Sequence, residues 1–282
     1  MTRHILTIEC PDGPGIVASI AQGLVDLGAN IVENAQYSDE PTNRFCMRTR
    51  FDCDLDDAAD VESRLAARAQ ALDARMTVRR EDHHLRAIVL VSRTDHCLLD
   101  LLYRHNEGEL PVDLAMVVSN HPDLGELVTR NGIPFEHVPV PTPADRPAAE
   151  ARLLGLVADL DVDLVILARY MQILSPAICD ALAGRVINIH HSFLPGFKGA
   201  RPYRQAWERG VKMIGATAHY ATADLDDGPI IAQDVAPVTH ALDPEQLQVV
   251  GRDLERLVLS RAVKAHAESR VFLLDHRTVV FP

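Results

Sequence analysis

The hydrophobic pattern of residues 4–80 alternates between a spacing of two, which is typical of strands, and a spacing of three to four, which is typical of helices. Residues 14–27 and 56–72 have the helical pattern, and the segments around them have the strand pattern. Gly28 follows the first helical segment, where glycine commonly ends a helix. The order strand, helix, strand, strand, helix, strand predicts a ferredoxin-like βαββαβ domain.

Beyond a short charged linker over residues 80–85, apolar strand segments and amphipathic helix segments alternate. This alternation is typical of an α/β domain in which helices cover a mostly parallel sheet. The pattern ends with a long helix over residues 244–268 and a predicted hairpin over residues 271–281. We therefore predict two domains, at residues 1–82 and 86–282.

One strand of the second domain, residues 186–190, carries two polar side chains two positions apart. Side chains alternate along a strand, so Asn188 and His190 face the same side, opposite Ile187 and Ile189. A loop with several glycines and prolines follows directly. Ligands of open α/β sheets bind beyond the carboxyl ends of the strands, where this pair lies. We expect the active site here.

An acidic turn at residues 224–227 supplies the carboxylate that such a pair needs. Asp224, Asp226 and Asp227 all lie in this turn, and the pattern alone does not choose among them. An amide and an imidazolium can stabilise an oxyanion, and a carboxylate can hold the imidazole charged and accept a proton from a nucleophile. The set suits formyl or acyl transfer, although each residue alone is more often structural.

A metal centre is the competing interpretation of these polar residues. His190, His191, His219 and the aspartates are possible ligands, but they have no HExxH or comparable spacing. Adjacent histidines on a strand also point to opposite faces, which hinders binding to one ion. We predict that the site contains no catalytic metal.

Composition narrows the function classes further. The chain is 47% hydrophobic and 24% charged, which is ordinary for a globular protein, and its net charge of −12 disfavours nucleic-acid binding. Five scattered cysteines without a CxxC motif suggest reduced thiols. No apolar run has the length of a membrane helix, and no signal peptide is recognisable. A cytoplasmic enzyme with no membrane partner is the expectation.

The N-terminal module resembles the ACT domain, a small amino-acid-sensing module. The resemblance rests on DGPG at residues 12–15 and GANI at residues 28–31. It implies that Asp12, Gly15 and Asn30 bind an effector, and helix N-terminal amides do suit a carboxylate. The alternative is that Asp12 only caps the turn and the glycines serve only backbone geometry.

The second domain resembles the folate-dependent formyltransferases, which have a Rossmann-like fold. The resemblance rests on NIHHSFLP at 188–195, FKG at 197–199, HY at 219–220, the acidic turn through 231, and LARYMQILS at 167–175. It implies that Asn188, His190 and Asp226 are catalytic, and it selects Asp226 within the turn. It also implies a pterin pocket whose predicted residues are Met171, Gln172, Ile173, Leu174, Thr222, Asp224 and Gly228.

Taken together, the two modules resemble the formyltetrahydrofolate deformylase family. The first strand-to-helix loop, residues 92–96, lacks the glycines with which related amine transferases bind a substrate phosphate, so the resemblance implies water as the formyl acceptor. It further implies 10-formyltetrahydrofolate as substrate, formate for purine biosynthesis, methionine and glycine as effectors, a homo-oligomer (tetramer or hexamer) and no cofactor. An amine formyltransferase, or an amino-acid-binding regulatory protein with an inert second domain, remains the alternative. His191 stands where transferases often have proline, and its role stays open.

Overall fold

A computed structural model describes residues 1–196 and 201–282 of the chain. The residues FKG at 197–199, which belong to the predicted motif, therefore lie outside the described residues. The chain forms two compact units, one of residues 1–83 with 268–282 and one of residues 84–267.

The first unit begins with the predicted βαββαβ order. Its elements are β1 (Thr2–Pro11), α1 (Ile16–Asp26), β2 (Asn30–Asp39), β3 (Arg44–Cys53), α2 (Ala58–Ala71) and β4 (Arg75–Arg80). The strands form one sheet in the order β2-β3-β1-β4, and the pairs in it are antiparallel. Side chains such as Leu6 and Phe51 pack with Ile20 and Leu65 of the two helices into one core. This arrangement confirms the predicted ferredoxin-like fold.

The C-terminal hairpin belongs to this first unit. It consists of β12 (Val271–Leu274) and β13 (Arg277–Val280), and its Phe272 packs with Phe281 and with Cys46 of β3. Arg277 forms an ion pair with Asp39. The predicted boundary instead assigned residues 86–282 to the second domain. The difference has a physical cause: alternation along β3 points Cys46 away from the helices, and the hairpin covers the apolar surface there.

The second unit has the predicted alternation of strands and helices. Its elements are β5 (Leu85–Val91), α3 (His96–Asn106), β6 (Val112–Ser119), α4 (Gly125–Arg130), β7 (Phe135–His137), α5 (Arg146–Asp159), β8 (Leu164–Leu167), α6 (Pro176–Ala181), β9 (Val186–His190), α7 (Pro202–Arg209), β10 (Met213–Tyr220), β11 (Ile230–Pro237) and α8 (Pro244–Ala267). The sheet order is β11-β10-β9-β8-β5-β6-β7. Strands β5 to β9 are parallel, and β10 is antiparallel to both of its neighbours, which confirms a mostly parallel sheet.

The order of the strands in the sheet determines where a ligand-binding crevice can form. From β5 the chain adds β6 and β7 on one side, and then returns to add β8 and β9 on the other side. The order therefore reverses between β5 and β8, and the loops after neighbouring parallel strands diverge there to leave a crevice. The loop after β8 begins at Ala168, and β9 ends at His190. Both segments reach the same edge of the sheet.

No helix in the described part of the chain is long and apolar enough to cross a membrane.

Candidate active site

Asn188 and His190 line one cavity of about 630 Å³ in the second unit. Both lie on β9, where Asn188 is opposite His219 and His190 is opposite Thr217 of β10. His190 is 4% exposed, so the surrounding strands hold its ring inside the protein. The structure thus brings the predicted amide and imidazole together in a pocket at the carboxyl end of β9.

The third predicted catalytic residue reaches the same pocket from the acidic turn. Asp226 lines the cavity, and its Oδ1 lies 3.1 Å from Nδ1 of His190. Asp226 has a φ of 55°, a left-handed conformation that aspartate tolerates better than most residues. Nε2 of His190 is buried and has no hydrogen-bond partner among the described residues. A substrate atom in the cavity would supply the missing partner.

Gly228, a predicted substrate-binding residue, lies in the same turn as Asp226. It is absent from the described residues that line the cavity. An added Cβ at Gly228 would collide with the carbonyl oxygen of Tyr220, because the turn passes close to the end of β10 here. The close approach explains why only glycine fits, and it makes the position structural for the turn that carries Asp226.

His219 orients the amide of Asn188. Its Nδ1 lies 2.9 Å from the carbonyl oxygen of Tyr220, which can only accept a hydrogen bond, so Nδ1 carries the proton. Burial lowers the pKa of His219, which leaves its Nε2 as an acceptor. Nδ2 of Asn188 donates to this Nε2 over 3.1 Å. The NH₂ end of the amide is thereby selected, and it has a second hydrogen to donate.

The loop after β8 forms one wall of the cavity. The predicted substrate-binding residues that line the cavity are Met171, Gln172, Ile173, Leu174, Thr222 and Asp224. Met171 and Ile173 are 59% and 52% exposed, so this wall offers apolar surface to a flat ring. The hydroxyl of Ser92 accepts a hydrogen bond from the Met171 backbone at 2.9 Å, and the carboxylate of Glu150 accepts one from the Ser175 backbone at 2.7 Å. These bonds hold the wall in place.

A buried carboxylate lies beside the same cavity. Glu255 of α8 is 1% exposed, accepts a hydrogen bond from the hydroxyl of Tyr203, and contacts Nε2 of His96 at 2.8 Å. Nε of Arg169 lies 3.4 Å from its Oε2. Burial alone would raise the pKa of Glu255, but His96, Arg169 and Tyr203 together hold that pKa below its usual value. Arg169 and Tyr203 also line the cavity.

His191, which follows His190, is a neutral cavity residue. Burial and then the charge of Arg169 lower its pKa to about 3. Its ring lies 5.2 Å from the ring of His190 and 6.0 Å from that of Tyr203, measured between centroids. His191 therefore packs between these rings without adding a charge next to His190 and Asp226.

Among the described residues, His96, Cys97 and Glu255 form the one group whose ligand atoms are close enough to hold a metal ion. The positive charge of Arg169 beside Glu255 opposes a cation there. The predicted alternative ligands His190, His191 and His219 do not form such a group. The residues present thus fit a metal poorly.

The predicted effector residues lie in the first unit. Asp12, Gly15 and Asn30 are exposed. Gly15 has a φ of 87° and precedes α1, whose N-terminus receives no side-chain hydrogen bond from its capping residue. The backbone amides that were predicted to receive a carboxylate therefore have no side-chain cap at this position.

Comparison with known proteins identifies the family. Residues 85–263 match the formyl transferase family and residues 4–73 match the ACT domain. The formyltetrahydrofolate deformylase of Corynebacterium sp. (strain P-1) is 47% identical, with 99% of this chain and 98% of the relative covered. The enzyme of the same name from Bacillus subtilis is 44% identical, with 98% and 93% covered. The chain belongs to the formyltetrahydrofolate deformylase family.

Solved structures agree with this assignment. The formyltetrahydrofolate deformylase of Burkholderia mallei is 44% identical, has a TM-score of 0.95 and covers 100% of both chains. Glycinamide ribonucleotide transformylase 1 of Symbiobacterium toebii is 33% identical, has a TM-score of 0.68 and covers 72% of this chain and 97% of its own. Similarity to the deformylases thus extends over the whole chain, whereas similarity to the transformylase covers only part of it. The predicted resemblance to the deformylase family is confirmed.

Sequence reasoning missed the residues around Glu255. They come from α3, α7, α8 and the loop after β8, and no local pattern connects these segments. One signal was available: Glu255 lies four positions after Gly251 and four before Leu259, both of which are buried in α8. A carboxylate in the buried stripe of an amphipathic helix requires a partner, and that requirement could have marked it.

Proposed function

We propose that this protein hydrolyses 10-formyltetrahydrofolate to formate and tetrahydrofolate. The observation that carries the proposal is the contact between His190 and Asp226 beside the oriented amide of Asn188, all in one cavity. Membership in the deformylase family supports the substrate. The exposed apolar wall at Met171 and Ile173 suits the pterin ring.

The chemistry follows from these positions. Water forms a bond to the formyl carbon while its proton passes to Asp226, and the formyl oxygen becomes an oxyanion. The amide of Asn188 and Nε2–H of His190 donate hydrogen bonds to that oxygen, and Asp226 holds the imidazole from its Nδ1 side. The carbon–nitrogen bond then breaks, the folate nitrogen takes up a proton, and formic acid ionises to formate. Every step uses side chains and water, so the mechanism requires no cofactor.

Substitution of the three catalytic residues tests this mechanism. Loss of one oxyanion donor typically lowers turnover by roughly 100-fold to 1000-fold. We expect Asn188→Ala, His190→Ala and Asp226→Asn to fold and to lose at least that much formate release, measured by a coupled formate assay. Arg152→Met, on the exposed surface of α5, is the control and should retain activity. A folded Asp226→Asn protein with nearly normal turnover would remove Asp226 from the mechanism.

The acceptor is tested separately from the site. Formylated folate is incubated with and without glycinamide ribonucleotide, and tetrahydrofolate is followed. Turnover without an amine supports the hydrolase. The structure is consistent with this outcome, because Glu255, the buried carboxylate beside the cavity, already contacts His96, Arg169 and Tyr203 and has little capacity left to bind an amine. Turnover that requires the amine would indicate a transferase, and absence of turnover in both mixtures would favour the regulatory protein.

Regulation by amino acids is proposed for the ACT domain. Asp12, Gly15 and Asn30 would bind methionine and glycine, which would act in opposite senses, and the exposed N-terminus of α1 suits their carboxylates. We further propose that the protein forms a homo-oligomer and has no nucleic-acid partner. Its role would be to supply formate to purine biosynthesis in the cytoplasm. Isothermal calorimetry with each amino acid tests it, and no heat from either would count against the effectors. Light scattering tests the predicted tetramer or hexamer.

A further inference from the structure

Arg169 has an unusual backbone conformation for its residue type. It is the second residue of the loop after β8 and has a φ of 65°, in the left-handed region that favours glycine. Arg201 and Asp226 also line the cavity and have a positive φ. Residues in such conformations persist where their surroundings hold them, and they cluster at functional sites. The loop thus places an arginine, rather than a glycine, where the backbone would favour glycine.

The guanidinium of Arg169 is buried at the cavity and only partly satisfied. Its side chain is 11% exposed, and it lines the cavity that contains Asn188 and His190. Nε and Nη1 are buried and have no hydrogen-bond acceptor among the described residues. Nε does lie 3.4 Å from Oε2 of Glu255, so the two form an ion pair without a well-directed hydrogen bond.

Glu255 does not satisfy this guanidinium alone, because its Oε2 lies 3.4 Å from Nε without forming a hydrogen bond and Nη1 has no acceptor among the described residues. Oε1 accepts from the hydroxyl of Tyr203, and Oε2 contacts His96 at 2.8 Å. The neighbouring His191 is neutral and provides no negative charge. A carboxylate forms charge-assisted hydrogen bonds with the N–H groups of a guanidinium. A second, small carboxylate in the cavity would complete the coordination of Arg169.

We propose that Arg169 binds formate, the carboxylate that the reaction releases. The identity of this anion rests on the proposed function, whereas the capacity to bind a small carboxylate rests on the geometry of Arg169. Once the carbon–nitrogen bond breaks, the former formyl carbon carries two equivalent oxygens, one from the substrate and one from water. Arg169 receives these oxygens in the cavity that Asn188 and His190 also line, and it acts as a product-binding residue.

Direct binding of formate tests the proposal without any folate. Carbon-13 formate is titrated with the protein at constant ionic strength, and its NMR line width is compared with and without competing chloride. We expect Arg169→Met to weaken formate binding by about tenfold or more, as loss of a hydrogen bond between charged groups does. Arg152→Met, which removes an exposed arginine of α5 that pairs with Glu136, should bind formate like the wild type. Absent wild-type binding, or equal binding by Arg169→Met, would overturn the proposal.

A second variant guards against misfolding. Arg169→Met leaves Glu255 buried with less compensation, so circular dichroism and thermal unfolding accompany each measurement. If this variant does not fold, the double variant Arg169→Met/Glu255→Gln removes both charges, and it should show the same loss of formate binding. Retention of formate binding there contradicts the assignment.

The folate itself also carries carboxylates, and the same variants distinguish them. An Arg169 that held the folate tail would, on substitution, raise KM for 10-formyltetrahydrofolate and weaken tetrahydrofolate binding while formate binding stayed unchanged. That result would overturn the proposal. The formate titration needs no turnover, so the two proposals can fail separately. A wild-type protein that binds added formate through Arg169 but produces no formate from 10-formyltetrahydrofolate would contradict only the proposed hydrolysis.

Discussion

His219 determines the orientation of the Asn188 amide. Because Nδ1 of His219 donates to the backbone of Tyr220, its Nε2 must accept, and only the NH₂ group of Asn188 can donate to it. Were His219 protonated, Nε2 would become a donor and would favour the opposite amide orientation. Burial lowers the pKa of His219 and opposes that change. The orientation of the Asn188 amide thus depends on the protonation state of His219.

His191 should make stability depend on pH. Burial and then Arg169 lower the pKa of His191 to about 3, from 6.5. Between these values the unfolded chain binds a proton that the folded chain does not, so stability falls as pH decreases below about 6.5. At pH 5 the loss is roughly 2 kcal/mol. Urea unfolding at pH 7.5 and pH 5 should show that His191→Asn loses less stability than the wild type by about this amount.

His240→Asn is the control for that experiment, because His240 is exposed in the second unit. It should retain the wild-type difference between the two pH values. If His191→Asn and the wild type lose the same stability on acidification, the buried neutral state of His191 is wrong.

The effect of replacing a helix glycine by alanine on stability depends on how closely a neighbouring element packs against that glycine, as two positions show. Gly251 lets α8 approach α7 so closely that an added Cβ would collide with the hydroxyl of Tyr203. An added Cβ at Gly155 of α5 would meet nothing within 4 Å. In a helix with free space, alanine is favoured over glycine because it loses less backbone entropy on folding.

We therefore expect opposite results from one chemical change. Gly155→Ala should stabilise the protein by about 0.5–1 kcal/mol. Gly251→Ala should destabilise it by about 1–3 kcal/mol, and should also lower activity because Tyr203 bonds Glu255 beside the cavity. Chemical denaturation and the formate assay measure both effects. Equal stability changes in the two variants would contradict the close packing of α7 and α8.

At the scale of the whole molecule, the first unit is discontinuous in sequence, because the second unit, residues 84–267, is inserted within it. The chain completes its second unit with α8, which carries Glu255, and then contributes β12 and β13 to the first unit. The hairpin packs its aromatic side chains on Cys46. The two compact units are thus linked by two chain connections rather than one.

Removal of one hairpin aromatic should expose Cys46. All five cysteines are buried and unpaired, and burial raises the pKa of Cys46 to about 12, so its thiolate is scarce in the folded protein. Phe272→Ala should destabilise the hairpin by about 3–5 kcal/mol and accelerate the reaction of one thiol with DTNB. Val280→Ala, at a position that is 38% exposed on the same hairpin, should not do so. If Cys46→Ser in the Phe272→Ala background leaves the fast reaction unchanged, Cys46 is not the residue beneath the hairpin.

Local patterns in the sequence were sufficient to predict the strands and helices and the main polar residues of the site. Hydrophobic periodicity predicted the strands and helices of both units, because each element buries one face and therefore repeats with its own period. The spacing of Asn188 and His190 predicted that they share a face, since alternation along a strand is a local property. Family resemblance, rather than spacing, selected Asp226 within its acidic turn.

Only the tertiary structure decided what surrounds that pair. The contact of Asp226 with His190, the orientation of Asn188 by His219 and the structural role of Gly228 all depend on how the end of β10 and the acidic turn pack beside β9. The group of Glu255, Arg169, His96 and Tyr203 assembles from four separate segments, so no spacing along the chain encodes it. Assignment of the hairpin to the first unit has the same cause. Contacts between residues distant in sequence depend on the packing of whole elements, which periodicity does not specify.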